Sequence, residues 1–215
     1  MIIGVDFDNT IVDYDELMHS IAVDWGLVSA TMSRNKKQIR DTVRALPDGE
    51  VQWQRLQIEA YGLRMSEAVP TEGIKEFFLI CKQRNIPVRI VSHKTTHPNL
   101  GESQVNLRSA AVAWLEQQGF FARDGLGIAR THVYFESSRA EKVARIAQLG
   151  VTHFIDDLEE TFSEPTFPAG VEKIFYSTES AARGDDMKRL ESWARIREYL
   201  LPAAQPGCPA GRPLP

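Results

Sequence analysis

Short runs of β-branched and aromatic residues recur along this chain, separated by amphipathic helical patterns, and the alternation constrains the fold more than any other feature. Ile2 to Val5 comes first, then Pro87 to Val91 (PVRIV), His132 to Phe135 (HVYF), Val151 to Ile155 (VTHFI) and Val171 to Tyr176 (VEKIFY). Such runs read as strands buried on both faces. Between them, Ile74, Phe77, Phe78 and Cys81 repeat at i, i+3, i+4 and i+7 behind Thr71, a candidate N-cap. Leu107, Ala110, Ala111, Trp114 and Leu115 do the same behind Ser103, and Val143, Ile146 and Ala147 do so before Gly150, a helix stop. The spacing predicts a last helix from Asp185 to about Leu201, striped by Leu190, Trp193, Ile196 and Leu200. Strands alternating with helices imply an α/β core, a mostly parallel sheet with helices on both faces.

Residues 13–70 break the rhythm. Met18, Ile21, Ala22 and Trp25 make one amphipathic stripe, Ile39, Val43 and Leu46 a weaker one, and Trp53, Leu56 and Ala60 a third that ends at Gly62. No convincing strand interrupts them. A structureless loop of this length is rare inside a compact domain, so 13–70 reads as a small helical insertion into a core of residues 1–12 and 71–201. It leaves the sheet at the carboxyl edge of the first strand, where open α/β sheets bind ligands. The tail, 202–215, holds five of the 11 prolines and no apolar periodicity, and is expected to be disordered.

Lys and Arg total 25 against 29 Asp and Glu, a formal net charge of -4, which argues against a general nucleic-acid binder. The two cysteines, Cys81 and Cys208, are far apart and outside any CxxC, so neither a zinc ribbon nor a disulfide scaffold is expected. No segment reaches the roughly 18 apolar residues that span a bilayer. The opening MIIGVDFDNT has no basic n-region, and the expected compartment is the cytoplasm.

The residues that carry chemistry cluster where strands end. Asp6 and Asp8 sit two apart as the chain leaves the first strand, and on a pleat i and i+2 share a face. Two carboxylates that close repel each other unless a cation or protons compensate, so the pair reads as half of a divalent-metal site with hard oxygen ligands. Phe154-Ile-Asp-Asp-Leu158 is another apolar strand ending in acids, Asp156 and Asp157. In a parallel sheet these meet the first pair at one edge, and four converging carboxylates are untenable without a metal. The PVRIV strand ends in Ser92, whose hydroxyl and nearby N–H groups can hold an anion. Ser138-Arg-Ala-Glu141 is a capping box, which places Lys142 in the first turns of a helix. A cation there is opposed by the helix dipole, so its placement asks for a reason, and neutralising phosphate and carboxylates is one.

Taken together, these residues resemble the haloacid dehalogenase (HAD) superfamily. DFDNT (Asp6 to Thr10) is similar to its first motif, DxDx[TV]; Ser92 matches the second; Lys142 the third, with Lys94 a rival; and Asp156-Asp157 the fourth. The resemblance covers residues 1 to about 176 with the motifs in order, and the insertion resembles a C1-type cap. It implies a Rossmann-like three-layer α/β/α sandwich with a mostly parallel sheet and a small α-helical cap after the first strand. It also implies a Mg²⁺-dependent phosphatase acting on a small soluble phosphate ester through an aspartyl-phosphate. Asp6 would be the nucleophile and Asp8 the general acid and base. Mg²⁺ would be held by Asp6, the Asp8 backbone carbonyl, Asp156 and Asp157, and phosphoryl oxygens by Thr10, Ser92 and Lys142.

Within that superfamily, dehalogenases lack an acid at the position of Asp8, so the resemblance favours phosphoryl transfer. A phosphotransferase, a phosphonatase, an idle HAD-like binding protein and a receiver-like phosphoacceptor module are the alternatives. A phosphonatase needs a cap lysine for its Schiff base, and Lys36 and Lys37 lie in a polar run that reads as a solvated face. Tyr14, Trp25, Arg34, Arg40, Trp53 and Arg55 are candidates to line the cap. His93 and His97 have zinc-like spacing, but Pro98 argues against a helical pair. No membrane partner is expected.

Overall fold

The computed structural model describes residues 1–98, 104–177 and 186–202. The expectations for Ser103, Asp185 and residues 203–215, Cys208 included, lie outside the described residues. Strand β1 (Ile3–Val5) leads through a tight turn to β2 (Val12–Asp13), and helices α1 (Asp15–Asp24), α2 (Lys36–Arg44) and α3 (Gly49–Ile58) follow. Helix α3 runs on as a π-helical turn, Glu59–Leu63, before a 3₁₀ turn, Met65–Glu67, and strand β3 (Val69–Pro70). The rest alternates: α4 (Ile74–Gln83), β4 (Val88–His93), α5 (Leu107–Gln117), β5 (Val133–Glu136), α6 (Arg139–Gln148), β6 (His153–Asp156), α7 (Glu159–Phe162), β7 (Glu172–Tyr176), β8 (Lys188–Leu190) and α8 (Trp193–Leu200).

Six strands form one parallel sheet in the order β5-β4-β1-β6-β7-β8, flanked by helices as the alternating pattern predicts. Consecutive strand residues serve opposite faces. Ile90, Ile155 and Ile174 enter the larger core, which includes Phe77, Trp114 and Trp193, whereas Val91, Phe154 and Phe175 enter a second core with Ile146 and Phe162. That division is the physical reason the strands read as unbroken apolar runs. Gly4 lets Phe154 lie across β1, because a Cβ at that position would sit 2.5 Å from the Phe154 ring. The chain winds from β1 outward to β4 and β5, then crosses to β6 on the other side of β1. The carboxyl ends of β1 and β6 therefore flank a crevice of the kind that binds ligands.

Several boundaries differ from the sequence expectation. The predicted helix from Asp185 to Leu201 is a strand and a shorter helix within the described residues. Leu190 pairs with Tyr176 at the sheet edge, and Ser192 caps α8 by accepting from the Arg195 N–H at 3.3 Å. Leu190 and Trp193 share helical spacing while belonging to different elements. Residues 13–70 are not wholly helical either, since Val12–Asp13 and Val69–Pro70 pair antiparallel and tie the two ends of the segment together. Two-residue strands carry no periodicity to detect. Helix α4 starts at Gly73, in the left-handed region at φ +83°, rather than being capped by the Thr71 side chain. Asn106 caps α5 through the Ser109 N–H. The Ser138–Glu141 capping box forms in both directions. Among the described residues no helix is long and apolar enough to cross a membrane.

Candidate active site

Three adjacent strands, β4, β1 and β6, bring Ser92, Asp6 and Asp156 to one edge of the sheet. Asp6 directly follows β1, is buried, and extends the ladder to β6 by donating its N–H to the Ile155 carbonyl at 2.9 Å. Ser92 is buried near the end of β4. Asp156 is fully buried, and its Oδ1 accepts the Leu158 N–H at 2.9 Å. Lys142, also buried, donates from Nζ to Asp6 Oδ1 and to Asp156 Oδ2, both at 2.6 Å. The capping box sets the start of α6 and so aims this lysine inward rather than at solvent.

Thr10 completes this half of the site. Its hydroxyl donates to Asp157 Oδ1 at 3.3 Å, and its carbonyl accepts the Trp193 indole N–H at 3.1 Å, so α8 holds the loop after β1 from behind. Phe7 points the other way, edge-on to Trp114 and Phe135, which anchors the turn between the two aspartates.

Asp8 faces a different cation. Lys94 Nζ donates to both of its oxygens, at 2.8 and 2.9 Å, and the Tyr14 hydroxyl donates to Oδ1 at 2.6 Å. Lys94 is buried, and its backbone is fixed on both sides. Its N–H donates to the Glu136 carbonyl at 2.9 Å, and its carbonyl accepts from Arg108 Nε at 2.8 Å. The two candidate lysines thus occupy different places, Lys142 between Asp6 and Asp156, Lys94 against Asp8. The Asp8 carboxylate accordingly stands outside the acid cluster of Asp6, Asp156 and Asp157.

The segment between β2 and β3 reaches into the site, and here the sequence reading of Lys36 as part of a solvated face is wrong. Lys36, the first residue of α2, donates from Nζ to Asn9 Oδ1 at 2.9 Å and lies 5.5 Å from the centre of the Tyr61 ring. Tyr61, from the π-helical turn, also covers Lys94 at 5.1 Å and packs edge-on against Tyr14 at 4.7 Å. Neither Lys36 nor Tyr61 carries a sequence signal of its role, because both arrive by the folding-back of 13–70. Of the suggested lining residues, Tyr14 touches Asp8. Trp53 is core, Trp25 and Arg55 are exposed, and Arg34 and Arg40 pair with Glu16 and Asp41, Arg40 at the rim of a neighbouring cavity. His93 and His97 are separated: His93 meets the Ser137 carbonyl and His97 the Val105 carbonyl.

With this geometry in hand, the whole chain can be set beside solved structures. A HAD family hydrolase from Deinococcus radiodurans R1, solved with bound phosphate and sodium, is 15% identical, with a TM-score of 0.55 over 93% of this chain and 94% of that one. The fold here is the HAD fold. A predicted phosphoglycolate phosphatase from Haemophilus somnus 129PT shares it at 15% identity and a TM-score of 0.54, over 92% of this chain and 96% of that one. So does a dehalogenase at 13% identity and a TM-score of 0.55, over 93% and 96%. No protein-family model and no curated protein matches the sequence.

Electrostatics distinguish this site from an ordinary polar edge. Burial pushes the Asp6 carboxyl up to about 7; Lys142 opposes the rise and Asp156 reinforces it. Asp157 is pushed up to about 8 by burial and then by Asp6 and Asp156. Burial works against the Lys142 ammonium, yet Asp156 and Asp6 outweigh it and hold the group more basic than usual. The Tyr14 hydroxyl is held well above its ordinary range by burial and by Asp8. Asp6, Asp156 and Asp157 each offer a carboxylate oxygen within 4.8 Å of the others. Once ionised, these three hard oxygen donors outweigh the single lysine, and a divalent cation would neutralise the excess negative charge that, on top of burial, makes two of them reluctant to ionise. The donor set fits such an ion.

Proposed function

We propose that this chain is a Mg²⁺-dependent phosphomonoester hydrolase that acts on a small phosphorylated metabolite through an aspartyl-phosphate. The observation that carries the reading is the division of labour between two aspartates two residues apart. Asp6 is in the acid cluster with Lys142, and Asp8 is outside it, held by Lys94 and Tyr14. A nucleophile and a separate proton carrier are what ester cleavage with an alkoxide leaving group requires.

The Asp6 carboxylate attacks phosphorus in line as the ester oxygen leaves, and Asp8 gives that oxygen a proton. Water then attacks the acyl phosphate, Asp8 takes its proton, and phosphate and the Asp6 carboxylate are released. Lys94 and Tyr14 position Asp8. Lys142, Ser92 and Thr10 stabilise the equatorial oxygens of the phosphoryl group, where charge spreads in the transition state. Asp6, Asp156, Asp157 and the Asp8 backbone carbonyl would hold Mg²⁺, which supplies Lewis-acid stabilisation of the same charge. Residues 13–70 serve as the cap, and the cavity beside Asp8, about 480 Å³, suits a small molecule.

Lys36 gives a second reading some footing, since a phosphonatase needs an amine from the cap. A Schiff-base lysine must be available as the free base, however. Lys36 is instead held more basic than usual, the charges of Tyr61, Asp157 and Asp8 outweighing the effect of burial. The phosphatase reading is favoured. Its test is p-nitrophenyl phosphate hydrolysis, expected with Mg²⁺ and lost in EDTA; a rate indifferent to metal would contradict it.

A further inference from the structure

The cavity beside Asp8 is lined by five ionisable side chains that bear on charge: Asp8, Lys36, Glu50, His93 and Lys94. Four of them are accounted for. Asp8 and Lys94 are paired with each other at 2.8 Å. Glu50 pairs with Arg44 at 2.8 Å. His93 meets the Ser137 carbonyl, and burial lowers its affinity for a proton. Lys36 remains. Among the described residues it has no carboxylate within ion-pairing distance; its hydrogen-bonding partners are the neutral Asn9 amide and Tyr61, and Asp157 and Asp8 attract it only from farther off. It is also the first residue of α2, where the helix dipole opposes a cation, so its placement calls for an anionic partner.

Resting on the phosphatase reading above, we propose that the alcohol portion of the substrate carries a second anionic group, a carboxylate or a second phosphate, bound by the Lys36 ammonium beneath Tyr61. The phosphoryl group to be transferred lies against Asp6 and Lys142. The leaving portion then extends past Asp8 into the cavity that Lys36 and Tyr61 border. A neutral alcohol would leave Lys36 without an ion-pair partner, and a cationic one would be repelled by it. The Tyr61 ring, within 5.5 Å of both ammonium groups, shields them from water and strengthens their attraction for an anion.

A matched two-carbon series tests this: phosphoglycolate, ethylene glycol bisphosphate, 2-hydroxyethyl phosphate and phosphoethanolamine. The expected order of kcat/KM is anionic, then neutral, then cationic, and the faster of the two anionic esters identifies which anion the site takes. Lys36→Met should lower the anionic-to-neutral ratio roughly 10–100-fold, the worth of a hydrogen bond to a charged group. Lys36→Arg should keep the preference, and Lys36→Glu should turn it toward phosphoethanolamine. A flat profile in the wild-type protein, or a fall equal for all four esters in Lys36→Met, overturns the proposal while leaving the phosphatase reading intact. A protein that hydrolyses neither these esters nor p-nitrophenyl phosphate overturns both.

Discussion

Two residues apart, Asp6 and Asp8 meet different cations, and that separation lets one attack while the other carries a proton. In Asp8→Asn the contacts to Lys94 and Tyr14 keep an oxygen acceptor, so the fold should persist while the proton carrier is lost. Turnover of an ester with a poor leaving group should fall roughly 10²–10⁴-fold, the usual contribution of a positioned acid–base. A rate within a few fold of wild type would assign the proton to another group. At this scale the convergence of Asp6, Asp156, Asp157 and Lys142 was legible, because each ends a strand or opens a helix at a known edge of a parallel sheet. Lys36 and Tyr61 were not legible. A lysine in a polar run looks the same whether it faces water or Asn9, and the contact depends on long-range folding of 13–70.

The elements follow the same division. Strands buried on both faces announce themselves through composition, and β1, β4, β5, β6 and β7 were readable within a few residues at each end. Strand β8 was not, because Leu190, Trp193, Ile196 and Leu200 fit one helical stripe although the sheet edge claims the first of them. The β2–β3 pair is two residues long on each side and leaves no trace in the sequence. Its position matters: it draws the two ends of the helical segment together beside the Asp6–Thr10 turn. The Trp193 hydrogen bond to the Thr10 carbonyl is another link from element to site that sequence spacing does not reveal, since the partners are far apart in the chain.

For the whole molecule, the acid cluster ties stability to pH and metal. Asp6 and Asp157 have folded-state values near 7 and 8 against an ordinary 3.8, so over this range the unfolded chain releases protons that the folded chain retains. Their contribution is fully present below about pH 4 and is lost as pH rises through 7 to 8. A divalent cation binds the ionised folded form and offsets that loss. In EDTA the melting temperature should fall between pH 5 and pH 8, and Mg²⁺ should raise it more at pH 8 than at pH 5. An equal Mg²⁺ effect at both pH values would mean the cluster is not where the metal binds.

The most direct test of the central claim, that Asp6 accepts the phosphoryl group, is p-nitrophenyl phosphate turnover in Asp6→Asn at saturating Mg²⁺, with circular dichroism to check the fold. The amide keeps the shape of the side chain and an acceptor for Lys142 but cannot serve as the nucleophile. The expected result is a folded protein with no turnover above background. A folded variant with a wild-type rate would contradict it.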